Sequence, residues 1–339
     1  MNLQQFVADP HFQVTSLTAS INEARTAPSL LASLGLFEER GITTTTFELE
    51  FDGQVLTLVM PGERGEPKQG QKKANRRKIP FQTVHLPVPM HIKADEIQNV
   101  RAFGSQTEQQ ALQAVVNEHL MLARQRLVAT RELMRAGAIT GKVLDAEGNV
   151  LLDIYQHFGI TQEPVEFDPA AKKTKAMLTA AKTASKKHLG QAVVNRWLFL
   201  QGPDFFNAYS EADDVVRGLQ NKNGNSNDLI DDMTDGLNFH NVTAFAYDAS
   251  LIGEDGETEV AYVPSDEAFL IPVTPGLLIG RNAPADYVET VGTLGLPFYA
   301  KTELAAMGKG ITGEAQSNPL YLPTRPLAIR RFKLKAPGG

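Results

Sequence analysis

Residues 105–137 read SQTEQQALQAVVNEHLMLARQRLVATRELMRAG, an uninterrupted helix signal with a marked start and stop. Ser105 followed by Glu108 forms a capping box, whose two side chains satisfy amide donors that a first helical turn leaves free. Glycine and proline are then absent until Gly137, the residue type that usually lies just past a helix end. Leu112, Val116, Leu120, Ala123, Leu127 and Met134 recur at spacings of three, four or seven, giving one narrow apolar stripe. Gln113, Asn117, Arg124, Arg131, Glu132 and Arg135 fall away from it. At 1.5 Å per residue such a helix is roughly 46 Å long, against a radius of gyration near 20 Å for a compact chain of this size. It is the backbone of an enzyme domain, one arm of a coiled coil, or a spine against which sheets are laid. His119 and Thr130 on or beside the seam weaken the heptad reading and favour the spine.

The chain has 339 residues, enough for about two domains with ample core. A net charge of -6 argues against a protein whose main business is wrapping nucleic acid. Without cysteine there is no disulfide, thiolate metal site or cysteine nucleophile. The N-terminal MNLQQFVADPHF lacks the basic and then apolar regions of a signal peptide, and no apolar run approaches the roughly 20 residues of a membrane span. The expectation is a water-soluble protein that folds in a cytoplasm.

Outward from the spine, residues 1–42 read as an arm with two short helical pieces, one around Leu17 and Ile21, the other through Leu30, Leu31 and Leu34. Neither is long enough to stand alone in water, so the arm lies on its own domain or on a neighbouring chain. Residues 43–60 change to strand: Phe47, Leu49, Phe51, Val55 and Val59 alternate with Glu48, Glu50 and Asp52. Residues 81–92 alternate again, with Val84, Leu86, Val88, Met90 and Ile92 against His85, Pro87, Pro89 and His91. Pro87 and Pro89 share a parity, so their missing amide donors fall on one side and mark a free edge. The two segments are expected to be the legs of one long hairpin, each roughly 40 to 48 Å. A ribbon of that kind is marginal by itself and needs a partner surface for its apolar face. The tip, residues 61–80, holds seven basic residues and only Glu63 and Glu66 as acids. Lys72, Lys73, Arg76, Arg77 and Lys78 suit nucleic-acid phosphates, an acidic protein neighbour, or simply solvent. With no aromatic in the tip, bases have nothing to stack on.

Beyond the spine, residues 142–153 carry a tight hairpin signal around Glu147-Gly148-Asn149, and residues 168–189 a second helix. Its stripes are Lys172, Lys175, Lys182 and Lys186 on one side and Met177, Ala181, Ala184 and His188 on another. Residues 195–201, NRWLFLQ, read as a buried strand, followed by a Pro203-initiated helix to Val216. Strands near 242–247, 260–263, 269–273 and 327–334 then complete a sheet, so the fold class is α+β. Chemistry is sparse. AGAITGK at 136–142 fails as a phosphate loop, because Val143 follows the lysine and a helix precedes it. His85 and His91 are about 20 Å apart along a strand, too far to share a metal. Asp228, Asp231, Asp232 and Asp235 suit a solvated helix face better than a hard-cation site. No catalytic residue, metal site or cofactor is put forward.

The C-terminal third is more specific. APADYVETVGTLGLPFYAK at 283–301 and QSNPLYLPTRPLAI at 316–329 resemble the closing segment of lambda-type phage major head proteins, the capsid protein E family. The matching residues are Pro284, Ala285, Asp286, Glu289, Thr290, Val291, Gly295, Pro297, Tyr299 and Lys301, then Asn318, Pro319, Leu320, Arg325 and Pro326. The match is poor over residues 203–266 and in the hairpin tip. The resemblance implies a Hong Kong 97-type capsid fold: an N-terminal arm at 1–42, an extended hairpin loop at 43–93, and a peripheral domain at 94–160 with its spine helix at 106–136. An axial domain at 161–275 and a return to the peripheral domain at 276–339 follow.

On that resemblance the protein is a structural subunit that assembles with itself, as hexamers and pentamers, into an icosahedral head enclosing double-stranded DNA. Phe47, Leu49, Phe51, Val84, Leu86, Val88, Lys72, Lys73, Arg76 and Arg77 would contact neighbouring subunits, and Leu112, Val116, Leu120 and Leu127 would form the spine core. Scaffolding, portal and cement proteins are the implied partners, DNA is held without sequence-specific contact, and no membrane is involved. The implied location is the virion, after assembly in the host cytoplasm. A protein-cargo nanocompartment shell and a soluble enzyme using the basic tip remain as alternatives.

Overall fold

A computed structural model describes residues 12–24, 29–51, 77–99, 108–145, 147–223, 236–253 and 256–336. The capping residue Ser105, most of the basic tip including Lys72, Lys73 and Arg76, and the four aspartates at 228–235 lie outside the described residues, as do the side chains of Phe51 and Arg77. The chain forms two compact units, one from residues 1–47, 81–134 and 280–321, the other from 48–80, 135–279 and 322–339. The stretches expected as 94–160 and 276–339 are each divided between them.

In the first unit an antiparallel sheet runs in the order Tyr299–Leu304, Gly310–Ser317, Leu86–Lys93. One face presents Met90, Ile92, Ala300, Ile311 and Ala315, and on these lie Leu112, Val116, Leu120, Ala123 and Leu127 of the long helix. The expected spine stripe is thus the buried one. Arm residues Phe12, Leu17 and Ile21 join the same core, and Asn22 Nδ2 donates to Phe298 O at 2.8 Å. For the described arm the host is therefore its own unit. A strand at Phe37–Gly41, where the sequence suggests no regular element, pairs in a second sheet with Leu278–Asn282.

The hairpin differs from expectation. Thr46–Phe51 pairs with Arg77–Gln82, antiparallel, with Thr83 N donating to Thr45 O at 2.9 Å and Phe47 stacked on Phe81. The second leg then breaks at 83–85, where Val84 N donates to Pro319 O at 3.0 Å. Leu86–Lys93 pairs with Gly310–Ser317 instead of with the first leg. Alternation alone cannot reveal such a change of partner, because both partners accept the same period-two pattern. As the two prolines require, Leu86–Lys93 is an edge strand, with Pro87 opposite Gln316 and Pro89 opposite Glu314.

The spine spans Glu108–Thr140, so Gly137 lies inside the helix and does not end it. A Cβ there would stand 2.7 Å from Lys142 O and from Val143 Cα, so this glycine admits the returning strand Lys142–Leu144 at close range. The turn falls to Gly141, at φ +95°, a conformation that favours glycine.

Polar residues near the helix end, expected off the stripe, are also enclosed: Arg131 is 2% exposed and Glu132 0%. Arg131 Nη1 donates to Asn282 Oδ1 at 2.9 Å, Ser317 Oγ at 2.8 Å and Pro297 O at 3.2 Å, and Nη2 to Glu39 Oε2 at 2.7 Å. Its guanidinium carbon lies 5.1 Å from the Phe298 ring centre and 5.5 Å from that of Tyr321. Glu132 Oε1 accepts from Leu31 N at 2.6 Å and so fastens the arm.

The second unit holds a six-stranded mixed sheet in the order Val165–Phe167, Arg330–Leu334, Glu267–Val273, Arg196–Gln201, Val242–Ala246, Leu237–Phe239. Phe199 meets Phe205, Tyr209 and Phe332 at ring-centre distances of 5.6, 5.6 and 5.1 Å, an aromatic core on one face. The helix there is Thr174–Leu189, shorter than expected, because Pro169 opens a separate short turn. Its buried stripe is Thr174, Leu178, Ala181, Ser185 and Leu189, rotated from the predicted one. The expected helix from Pro203 to Val216 is two helices, Pro203–Ser210 and Asp213–Asn223.

Two outcomes follow for stability, both read from urea unfolding curves. Gly137→Ala gains about 1 kcal/mol of helix propensity but drives its methyl into the Lys142–Val143 backbone, so a net loss of about 1–3 kcal/mol is expected. Arg131→Ala removes the buried cation facing Glu39 and takes a donor from Asn282 Oδ1, and a loss of about 3–5 kcal/mol is expected.

Candidate functional site

The sheet of the first unit has a second face. Strand alternation that turns Ile311 and Ala315 toward the helix turns Glu314 and Gln316 the other way, together with Tyr299 and Lys301 across the ladder. Over this face runs the segment 283–298, which carries most of the family motif.

Two side-chain amides and two carboxylates tie the segment down. Asn318 Nδ2 donates to Pro284 O at 2.9 Å and to Gln316 Oε1 at 3.1 Å. Gln316, fully buried, donates through Nε2 to Asp286 Oδ1 at 2.7 Å and Glu314 Oε1 at 3.1 Å. Its amide is satisfied at both ends, as burial demands. The Asn318 Oδ1 left over faces His85 Nδ1 at 2.8 Å.

Farther along, Lys301 Nζ donates to Glu289 Oε1 at 2.9 Å and Oε2 at 3.1 Å and lies 5.2 Å from the Tyr287 ring centre. The Lys301 hydrogen bond holds the Glu289 carboxyl below its ordinary range. Burial pushes the Tyr287 phenol up, and the Glu314 and Asp286 charges add to it. Thr290 Oγ1 hydrogen-bonds Ala285 O at 2.7 Å, and the Tyr299 hydroxyl accepts from Leu296 N at 2.8 Å. Gly295 packs so closely that a Cβ would fall 1.9 Å from Asn282 O. Its N donates to Ile42 O at 2.9 Å, which leaves no room for a side chain.

So fixed at its roots, the segment still presents apolar side chains outward. Val288 is 86% exposed, Val291 77% and Leu294 66%. Isolated exposed apolar residues are ordinary; here three fall within seven positions of a loop whose roots are hydrogen-bonded to the sheet.

The structure gathers Pro284, Asp286, Glu289, Tyr299, Lys301, Asn318 and Pro319 in the first unit. Arg325 and Pro326 belong to the second, where Arg325 Nη1 donates to Leu189 O at 2.5 Å and so caps the helix Thr174–Leu189. Among the hairpin residues, Phe47 and Leu49 are half-buried on the ribbon, and Val84 is half-buried at the break. Leu86 and Val88 are half-buried against the spine core of their own unit.

Sequence reasoning passes over Arg131, Glu39, Asn282 and Glu314. Charged residues on a helix or strand look solvated until the segments covering them are known. Gln316 lies in the quoted motif, yet only its side-chain hydrogen bonds show it between two carboxylates.

Residues 13–334 match the family model described as phage major capsid protein E. A 158-residue stretch is 30% identical to the major capsid protein of Salmonella phage Felix O1, covering 46% of this chain and 43% of that protein. The matched stretch thus spans less than half the length of that relative.

Among solved structures, a protein described as the capsid protein of an E. coli CFT073 prophage superposes with a TM-score of 0.58 at 13% identity, over 95% of this chain and 99% of that one. The mature capsid of bacteriophage PhiM1 gives 0.51 at 11% identity, over 92% and 89%, and the capsid of an empty GTA particle 0.52 at 10%, over 92% and 93%. At these identities the likeness concerns the fold, which is α+β and of the Hong Kong 97 capsid type. With the family model covering nearly the whole length, the chain belongs to the phage major capsid protein E family.

Proposed function

We propose that this protein is the major capsid subunit of a phage head, assembling with itself as hexamers and pentamers into an icosahedral shell around packaged double-stranded DNA. The observation that carries the reading is the rigidly anchored segment 283–298 with Val288, Val291 and Leu294 exposed at its surface. An apolar surface held at fixed geometry is what repeated subunit contacts require, and many modest contacts in a closed shell add up to a stable particle.

In this reading the unit built on the spine sheet is the peripheral domain and the six-stranded sheet belongs to the axial domain. The ribbon residues Phe47, Leu49 and Phe51, and the exposed sides of Val84, Leu86 and Val88, contact a neighbouring subunit. Lys72, Lys73, Arg76 and Arg77 at the tip meet an acidic surface of that neighbour. Scaffolding, portal and cement proteins are further partners, assembly takes place in the host cytoplasm, and the role is structural without turnover.

Electron microscopy of the expressed chain tests this. Shells or capsomers are expected, with or without an internal scaffold, and Val288→Ser/Val291→Ser/Leu294→Ser should keep its circular dichroism while losing particles. Monodisperse monomers of the unaltered chain at high concentration under both conditions would overturn the reading.

A further inference from the structure

We propose that His85, Asp286 and Glu314 form a binding site for a divalent transition-metal ion, with Zn²⁺ the best fit to the donor set. One ligand atom from each lies within 4.8 Å of the others. One imidazole and two carboxylates suit Zn²⁺, and a tetrahedral ion at about 2.1 Å from each would need them about 3.4 Å apart. His85 and Asp286 are exposed, so side-chain rotation can close that distance while the backbone stays in place.

Groups behind the ligands hold them in place. Asn318 commits both amide hydrogens to carbonyl-type acceptors, Pro284 O and Gln316 Oε1, so its Oδ1 must face His85. That oxygen only accepts, so Nδ1 carries a hydrogen and Nε2 is the ring nitrogen left to face a metal ion. Nε2 lies on the Asp286 side, 4.0 Å from Oδ2. A histidine fixed in this way, with the far ring nitrogen donating to a carbonyl, is the usual arrangement behind a metal ligand.

Gln316 performs the same service for the acids: its one amide nitrogen donates to both Asp286 and Glu314 and holds two like charges together. Two carboxylates so placed repel each other, and a divalent cation between them removes that cost. The remaining positions on the ion are open to water. A bound ion would tie the 83–85 break, the motif segment and the strand Gly310–Ser317 to one point. The inference does not depend on the shell reading.

The test uses the full chain, stripped with EDTA and titrated with ZnCl₂ by calorimetry and thermal melting. One saturable Zn²⁺ per chain and a raised Tm are expected, with Mg²⁺ a poor substitute because it prefers six oxygens. His85→Ala, at an exposed side chain, and Glu314→Gln, at a half-buried one, should abolish the Zn²⁺-dependent Tm shift. Gln316→Leu should weaken binding by about 10- to 100-fold, the usual effect of removing a group that orients a ligand. His91→Ala, on the exposed side of Leu86–Lys93, should bind as the unaltered chain does. Absence of saturable binding, binding unchanged in His85→Ala, or equal weakening by His91→Ala would each overturn the proposal.

Discussion

A guanidinium taken out of water is the constraint from which the first unit is organised. Arg131 is 2% exposed, and in a low-dielectric setting an uncompensated charge costs several kcal/mol. The cost is met by collecting acceptors from separate parts of the chain: Glu39 on the strand Phe37–Gly41, Asn282, the Pro297 carbonyl and the Ser317 hydroxyl. Satisfying one side chain therefore fixes the arm strand, the start and end of the motif segment and the inner strand of the spine sheet at once. The Phe298 and Tyr321 rings close over the remaining faces of the cation.

That arrangement explains why the motif is rigid where it is rooted and apolar where it is exposed. Pro297 and Asn282 bracket the segment and are both held by Arg131, while Gln316 and Asn318 hold its near side through Asp286 and Pro284. Burying apolar groups between two bodies yields most when neither body must be ordered first. Val288, Val291 and Leu294 project from a loop whose conformational entropy is already spent. A rigid presentation of modest apolar area suits the repeated subunit contact proposed above.

The second unit is held by different physics. Its central strands Arg196–Gln201 and Glu267–Val273 are buried along almost their whole length, and the core is aromatic rather than ionic. Polar groups appear at element ends: Asp214 accepts from Thr174 N at 2.7 Å to cap the start of the helix Thr174–Leu189, and Arg325 caps its end. The family motif thus contributes one arginine to helix termination here and a cluster of polar groups to loop anchoring in the first unit.

The sequence by itself determined the long helix, its apolar stripe through Leu112, Val116, Leu120 and Leu127, the edge character imposed by Pro87 and Pro89, the buried strand at Trp197 and the family of the motif. Each of these is written in local periodicity or in residue types with few conformational options. Only the tertiary structure decided that Gly137 sits inside the helix, that the second hairpin leg changes partner at 83–85, that Arg131 is buried, and that His85 meets Asp286 and Glu314. Those outcomes depend on which distant segment lies alongside, and neither a period-two pattern nor a lone charge encodes its partner, because pairing across hundreds of residues is settled by packing rather than by propensity.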